Sequence, residues 1–111
     1  MPGTDPIETT TFKLLLVETD PAKRERLLEL CRAHSPAELQ VEVCTRPNEA
    51  IARLAKGSFQ ASLLPNDIDL LQTARRAAPD TLYLLISDGT TPEQDSKAIH
   101  EGADDVLAYA N

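Results

Sequence analysis

The sequence predicts an α/β fold: one domain built on a doubly wound, five-stranded parallel sheet. Three observations lead there. Two short runs, Lys13–Val17 (KLLLV) and Leu82–Ile86 (LYLLI), are apolar almost without a break, as strands buried on both faces of a parallel sheet are. Segments of helical character separate five strand-like runs, and strict alternation of that kind implies parallel strands joined by right-handed crossovers. The chain has 111 residues, which is enough for a single modest core.

Each element has its own signal. After the strand Lys13–Val17, Asp20-Pro21 marks a helix start: the carboxylate accepts orphan N–H groups and proline suits the first helical position. Leu27, Leu28, Leu30 and Cys31 form that helix's apolar stripe, and Ser35-Pro36 stops it. Leu39–Cys44 (LQVEVC) alternates, as a strand at a sheet edge would. Pro47–Lys56 is a helix with Ala50, Ile51 and Leu54 inward and Gly57 closing it as a C-cap. Ala61–Leu64 is the third strand. Asp67 caps a helix over Ile68–Ala78, which Pro79 ends. After the fourth strand, Thr91, Pro92 and Gln94 form a capping box and first turn, and Gly102 supplies a left-handed exit. Val106–Tyr109 is the fifth strand.

Composition narrows the function. Apolar residues make up 41% and charged residues 26%, aromatics only 4%, so the core is aliphatic. The net charge of −7 disfavours direct contact with nucleic-acid phosphates or anionic membranes. No run is apolar and long enough to cross a bilayer, and Met1–Thr11 lacks the basic start of a signal peptide. That segment reads as a flexible lead-in to a domain over 12–111. Cys31 and Cys44 lack CxxC spacing and read as buried free thiols. A cytoplasmic location is expected.

In doubly wound sheets, ligands gather beyond the carboxyl ends of the strands. Function is therefore sought at Glu18-Thr19-Asp20, Pro65-Asn66-Asp67, Ser87-Asp88 and Tyr109-Ala110. The residues around these points carry a likeness. LLLVETDPAKRERLLELC, VCTRPNEAIARLAKGSFQASLL and LLISDGTTPEQDSKAIHEGADDVLAYA together resemble a response-regulator receiver domain, CheY-like, over Lys13–Ala110. EGADDVL is the most family-like phrase. The resemblance implies a flavodoxin-like sheet with strand order 2-1-3-4-5.

It also implies a chemistry. Receivers take a phosphoryl group on an aspartate ending the third strand, hold Mg²⁺ with two acidic residues after the first, and contact the phosphoryl oxygens with a Ser or Thr after the fourth and a Lys after the fifth. The carboxylate is the nucleophile, the metal neutralises charge, and the last two groups sense the anion. Here Pro65 stands at the phosphoacceptor position, and the acidic pair becomes Glu18 and Thr19 with Asp20 one step on. Ser87 keeps the hydroxyl, and Tyr109 replaces the lysine. The resemblance is thus to a degenerate member, a pseudo-receiver with neither enzymatic activity nor a cofactor, whose acidic site at Glu18 and Asp20 is vestigial. One alternative is an atypical active receiver phosphorylated on Asp67 with Mg²⁺ at Glu18 and Asp20; Asp67 also has a plain role as helix cap, and Ser87 as a loop hydrogen bonder. A second is a small-molecule sensor using the strand-end pocket.

Receivers commonly meet partners through the fourth helix and fifth strand. By that resemblance Ser87, Tyr109, Ala98 and Ile99 are candidate binding residues for a protein partner or a second copy. A receiver also closes with a fifth helix beside the first. The sequence stops at Asn111, so one face of Leu14–Val17 and Val106–Ala108 is expected partly bare. A continuing chain with an output domain, a dimer and a partner are the competing covers; the expectation taken is a piece from the N-terminal part of a longer signalling protein.

Overall fold

In the computed structural model, residues 12–34, 39–57, 59–87 and 91–108 are described; the expected lead-in over 1–11 lies outside them. Strand β1 (Phe12–Val17) is followed by α1 (Pro21–His34), β2 (Leu39–Cys44), α2 (Pro47–Lys56) and β3 (Ala61–Pro65). Then come α3 (Ile68–Ala77), β4 (Leu82–Ser87), α4 (Pro92–His100) and β5 (Asp105–Ala108). All neighbouring strands pair in parallel, in the order β2-β1-β3-β4-β5. The expected topology is the observed one, and boundaries differ by a residue or two: β3 runs on through Pro65 and β4 through Ser87.

Successive strand side chains face opposite ways, and β1 serves both layers. Leu15 and Val17 pack with Ala50 and Leu54 of α2, Leu70, Leu71 and Ala74 of α3, and Ala98 of α4. Leu14 and Leu16 pack with Leu27 and Leu28 of α1. This two-sided burial is the reason KLLLV is continuous where LQVEVC, on the sheet edge, alternates. Each fully buried leucine contributes about 1.5–3 kcal/mol relative to exposure.

The caps follow the local chemistry. Asp20 accepts from the Ala22 N–H at 2.9 Å, and Asp67 from the Leu70 N–H at 3.1 Å. Thr91 and Gln94 satisfy each other's backbone N–H at 3.2 and 2.8 Å. Gly102 takes φ +121°, a region open to glycine. Gly57 differs from expectation. Its φ of −87° and ψ of 176° are extended, not left-handed. Glycine is required there by space: a Cβ would stand 2.6 Å from the Phe59 ring.

The bare surface falls only partly where expected: Leu107 and Ala108 of β5 are exposed. Leu14–Val17 are all buried, because β1 lies under α1 and between β2 and β3. The exposed apolar side chains on that side are Phe12, Leu82 and Leu107, which rim an open apolar groove floored by Ala61, Leu63 and Leu84 and walled by Leu30 and Cys31 of α1. Among the described residues, α1 is the one helix packed on this face.

Candidate functional site

The parallel sheet brings the C-terminal ends of β1, β3 and β4 to one edge of the molecule. Three of the four sequence segments singled out above meet there. The fourth, Tyr109-Ala110, lies outside the described residues, as does Asp88.

At the end of β1, both carboxylates are turned into the chain's own backbone. Glu18 Oε2 accepts from the Asp20 N–H at 3.1 Å, while Asp20 Oδ1 caps α1. The Arg24 guanidinium donates to the Glu18 carbonyl oxygen at 3.3 Å and tightens the turn. These contacts place the two acids as turn and cap residues. Mg²⁺ demands near-octahedral oxygen ligands, and among the described residues no three or more acidic, histidine or cysteine side chains converge as they would around a metal ion.

At the end of β3, Pro65 is the last paired residue, opposite Ile86 of β4. The Asp67 N–H donates back to the Pro65 carbonyl at 2.8 Å, a tight three-residue turn. The chain thereby leaves the strand at once, so the two-residue strand period does not carry over from Pro65 to Asp67. The Asp67 carboxylate serves as the α3 cap.

At the end of β4, Ser87 reaches a residue that sequence reasoning passed over. Its hydroxyl donates to Asp95 Oδ2 of α4 at 3.0 Å. The Asn66 amide stands 3.5 Å from Asp95 Oδ1. A carboxylate thus joins the ends of β3 and β4 to a helix. Asn66, Ile68, Gln94 and Lys97 line a small polar recess alongside. One signal was available: Asp95 precedes Ala98 by three residues, so it shares the inward face of α4, an uncommon place for a carboxylate without a partner.

The expected partner surface is divided. Ala98 is fully buried in the core and anchors α4, because its small side chain lets the helix approach the sheet; it offers nothing to a partner. Ile99, one residue on, is 45% exposed. The phrase EGADDVL also acquires a structural meaning. Gly102 makes the positive-φ exit, Ala103 is buried, and Asp104 Oδ2 accepts from the Tyr83 N–H at 2.8 Å while its own N–H donates to the Tyr83 carbonyl. Arg75 completes the group, 3.4 Å from Asp104 and stacked at 5.7 Å over the Tyr83 ring.

Cys31 and Cys44 are free. Burial pushes both thiols up from their ordinary value, which keeps them in the unreactive protonated form. No helix of the described residues is long and apolar enough to cross a membrane.

No protein-family model matches the chain, and no curated protein does. Solved structures do. A response regulator from Burkholderia pseudomallei, with a phosphorylated aspartic acid, calcium ion and citrate, superposes with a TM-score of 0.71 at 19% identity, over 90% of this chain and 61% of that one. The chain thus spans about three-fifths of that protein's length. A CheY-like receiver domain from Methanospirillum hungatei gives 0.75 at 17% identity, over 92% and 84% of the two chains. A signal receiver domain from Vibrio parahaemolyticus gives 0.78 at 15% identity, over 92% and 81%. With its strand order and its helices α1 to α4, the chain has the fold of response-regulator receiver domains, the CheY-like form of the flavodoxin-like architecture.

Proposed function

We propose that the chain is a pseudo-receiver: a regulatory protein-interaction or dimerisation module of bacterial signal transduction that takes no phosphoryl group and catalyses nothing. The observation that carries this reading is Pro65 at the last position of β3. A proline side chain has no nucleophile, and phosphoryl transfer to a protein needs one. The surrounding acids support the same reading. Asp67, Glu18 and Asp20 each accept a backbone N–H, which lowers their availability as nucleophile or metal ligands.

The proposed interaction surface is α4 with β5. Ile99 is the exposed apolar side chain of α4, and β5 is the last strand of the sheet among the described residues. The partner is another protein or a second copy, with an output domain in the same full-length chain. Nucleic acid and membrane are disfavoured by the net charge of −7. A cytoplasmic location suits two free thiols.

The test is intact-mass analysis after incubation with acetyl phosphate, with and without Mg²⁺, beside an Asp67→Asn variant. The reading expects no adduct in a folded sample. A single Mg²⁺-dependent phosphoryl adduct that disappears in the variant would overturn it and assign the phosphoacceptor to Asp67.

A further inference from the structure

The geometry points to Asp95 as a built-in anion that locks α4 onto the strand ends, so that the chain sets the position of this helix by itself, without a ligand. The inference concerns how α4 is held and stands whether or not the α4–β5 face meets a partner.

Among the described residues, few apolar contacts fasten the N-terminal half of α4. The helix has nine residues, and isolated helices of that length are marginal in water. Its one buried residue is Ala98, and an alanine side chain is a small apolar anchor. Thr91, Glu93, Gln94, Ser96 and Lys97 are exposed. The capping box at Thr91 and Gln94 satisfies the helix's own first turn but ties it to nothing outside. The C-terminal end is fastened separately: Gln72 of α3 donates to Glu101 at 2.8 Å, and Ala103 is buried.

Asp95 supplies the missing tie. It lies in the first turn of α4 and reaches two other elements at once: the Ser87 hydroxyl at the end of β4 and the Asn66 amide beyond β3. Hydrogen bonds to an ionised acceptor are about twice as strong as neutral ones; the Ser87 bond, at 3.0 Å, is the close one, and the Asn66 amide at 3.5 Å is a longer contact to the other oxygen. The consequence is a fixed orientation. With Ala98 inward and Asp95 held, Ile99 is presented outward in one setting.

Amide hydrogen exchange by mass spectrometry or NMR tests this on the whole chain. Asp95→Ala and Ser87→Ala should each speed exchange of the Lys97–His100 amides by about tenfold or more, with the Ala50–Lys56 amides of α2 unchanged. The double variant should exchange no faster than Asp95→Ala alone, since both changes remove one shared interaction. Glu93→Ala is the control, because it too removes a first-turn carboxylate that favours the helix dipole; it should move α4 exchange far less. The inference is overturned if either single variant leaves α4 exchange unchanged, if the two effects multiply, or if Glu93→Ala matches Asp95→Ala.

Discussion

The Tyr83 hydroxyl stands 2.7 Å from the Ala78 carbonyl oxygen, with the Ala74 carbonyl at 2.9 Å. Tyr83 is fully buried in β4, and those two carbonyls belong to the last turn and C-cap of α3, the Ala74 carbonyl also accepting the Ala78 N–H at 2.8 Å. One side chain therefore fills the core beneath α3 and satisfies the end of that helix. Asp104 holds the same residue's backbone from the β5 side. Tyr83 is the point where α3, β4 and the entry to β5 are joined.

Tyr83→Phe should cost about 1 kcal/mol, because the hydroxyl's hydrogen bond to the end of α3 is lost. It should also change the alkaline limb. Burial raises the Tyr83 hydroxyl above its ordinary value. A group raised in the folded state stabilises fully below its unfolded pKa, about 10 for tyrosine, and the stabilisation disappears as pH climbs through the folded value. Wild-type stability should thus fall above about pH 10, and the variant should fall less steeply. Urea titrations from pH 8 to 11 check both, and equal slopes would remove Tyr83 from the explanation.

Asp67 separates capping from chemistry. Asp67→Ala should destabilise by about 1 kcal/mol through loss of the α3 cap, and Asp67→Asn by little, since asparagine caps as well. Thermal melts of the two variants give the comparison. A large loss in Asp67→Asn would mean that the charge itself matters there.

The two glycines should fail for different reasons. At Gly102 any Cβ meets a backbone held at φ +121°, so Gly102→Ala should cost on the order of 1 kcal/mol or more. At Gly57 the backbone suits alanine, and the penalty comes chiefly from the Phe59 ring 2.6 Å away, with the Arg53 carbonyl oxygen at 3.0 Å adding a smaller part. A smaller residue at 59 should relieve it, so the cost of Gly57→Ala should shrink in a Phe59→Leu background and that of Gly102→Ala should not. A double-mutant cycle reads this directly.

Two leucines of the sheet mark its covered and uncovered parts. Leu64 has no exposure and Leu82 is 51% exposed. Leu64→Ala should cost about 2–5 kcal/mol, whereas Leu82→Ala should stay within about 0.5 kcal/mol. Chemical denaturation of each variant measures the difference, and equal losses would mean that Leu82 is covered in solution.

Much of the fold is legible in the sequence. The continuous runs KLLLV and LYLLI marked central strands, LQVEVC an edge, and Asp20, Asp67 and Thr91 the helix starts, because periodicity and capping are local chemistry that residues declare in their own neighbourhood. Pro65 at the end of a strand was legible for the same reason. What the tertiary structure decided was everything that depends on which surfaces meet. It turned Ala98 inward and Ile99 outward, made Gly57 a matter of room for Phe59, and covered Leu14–Val17 while leaving Phe12, Leu82 and Leu107 exposed. It also joined Asp95 to Ser87 and Asn66 across 8 and 29 residues of chain. Local sequence carries no record of such pairings, because they follow from how the helices seat on the sheet rather than from any residue's own preference.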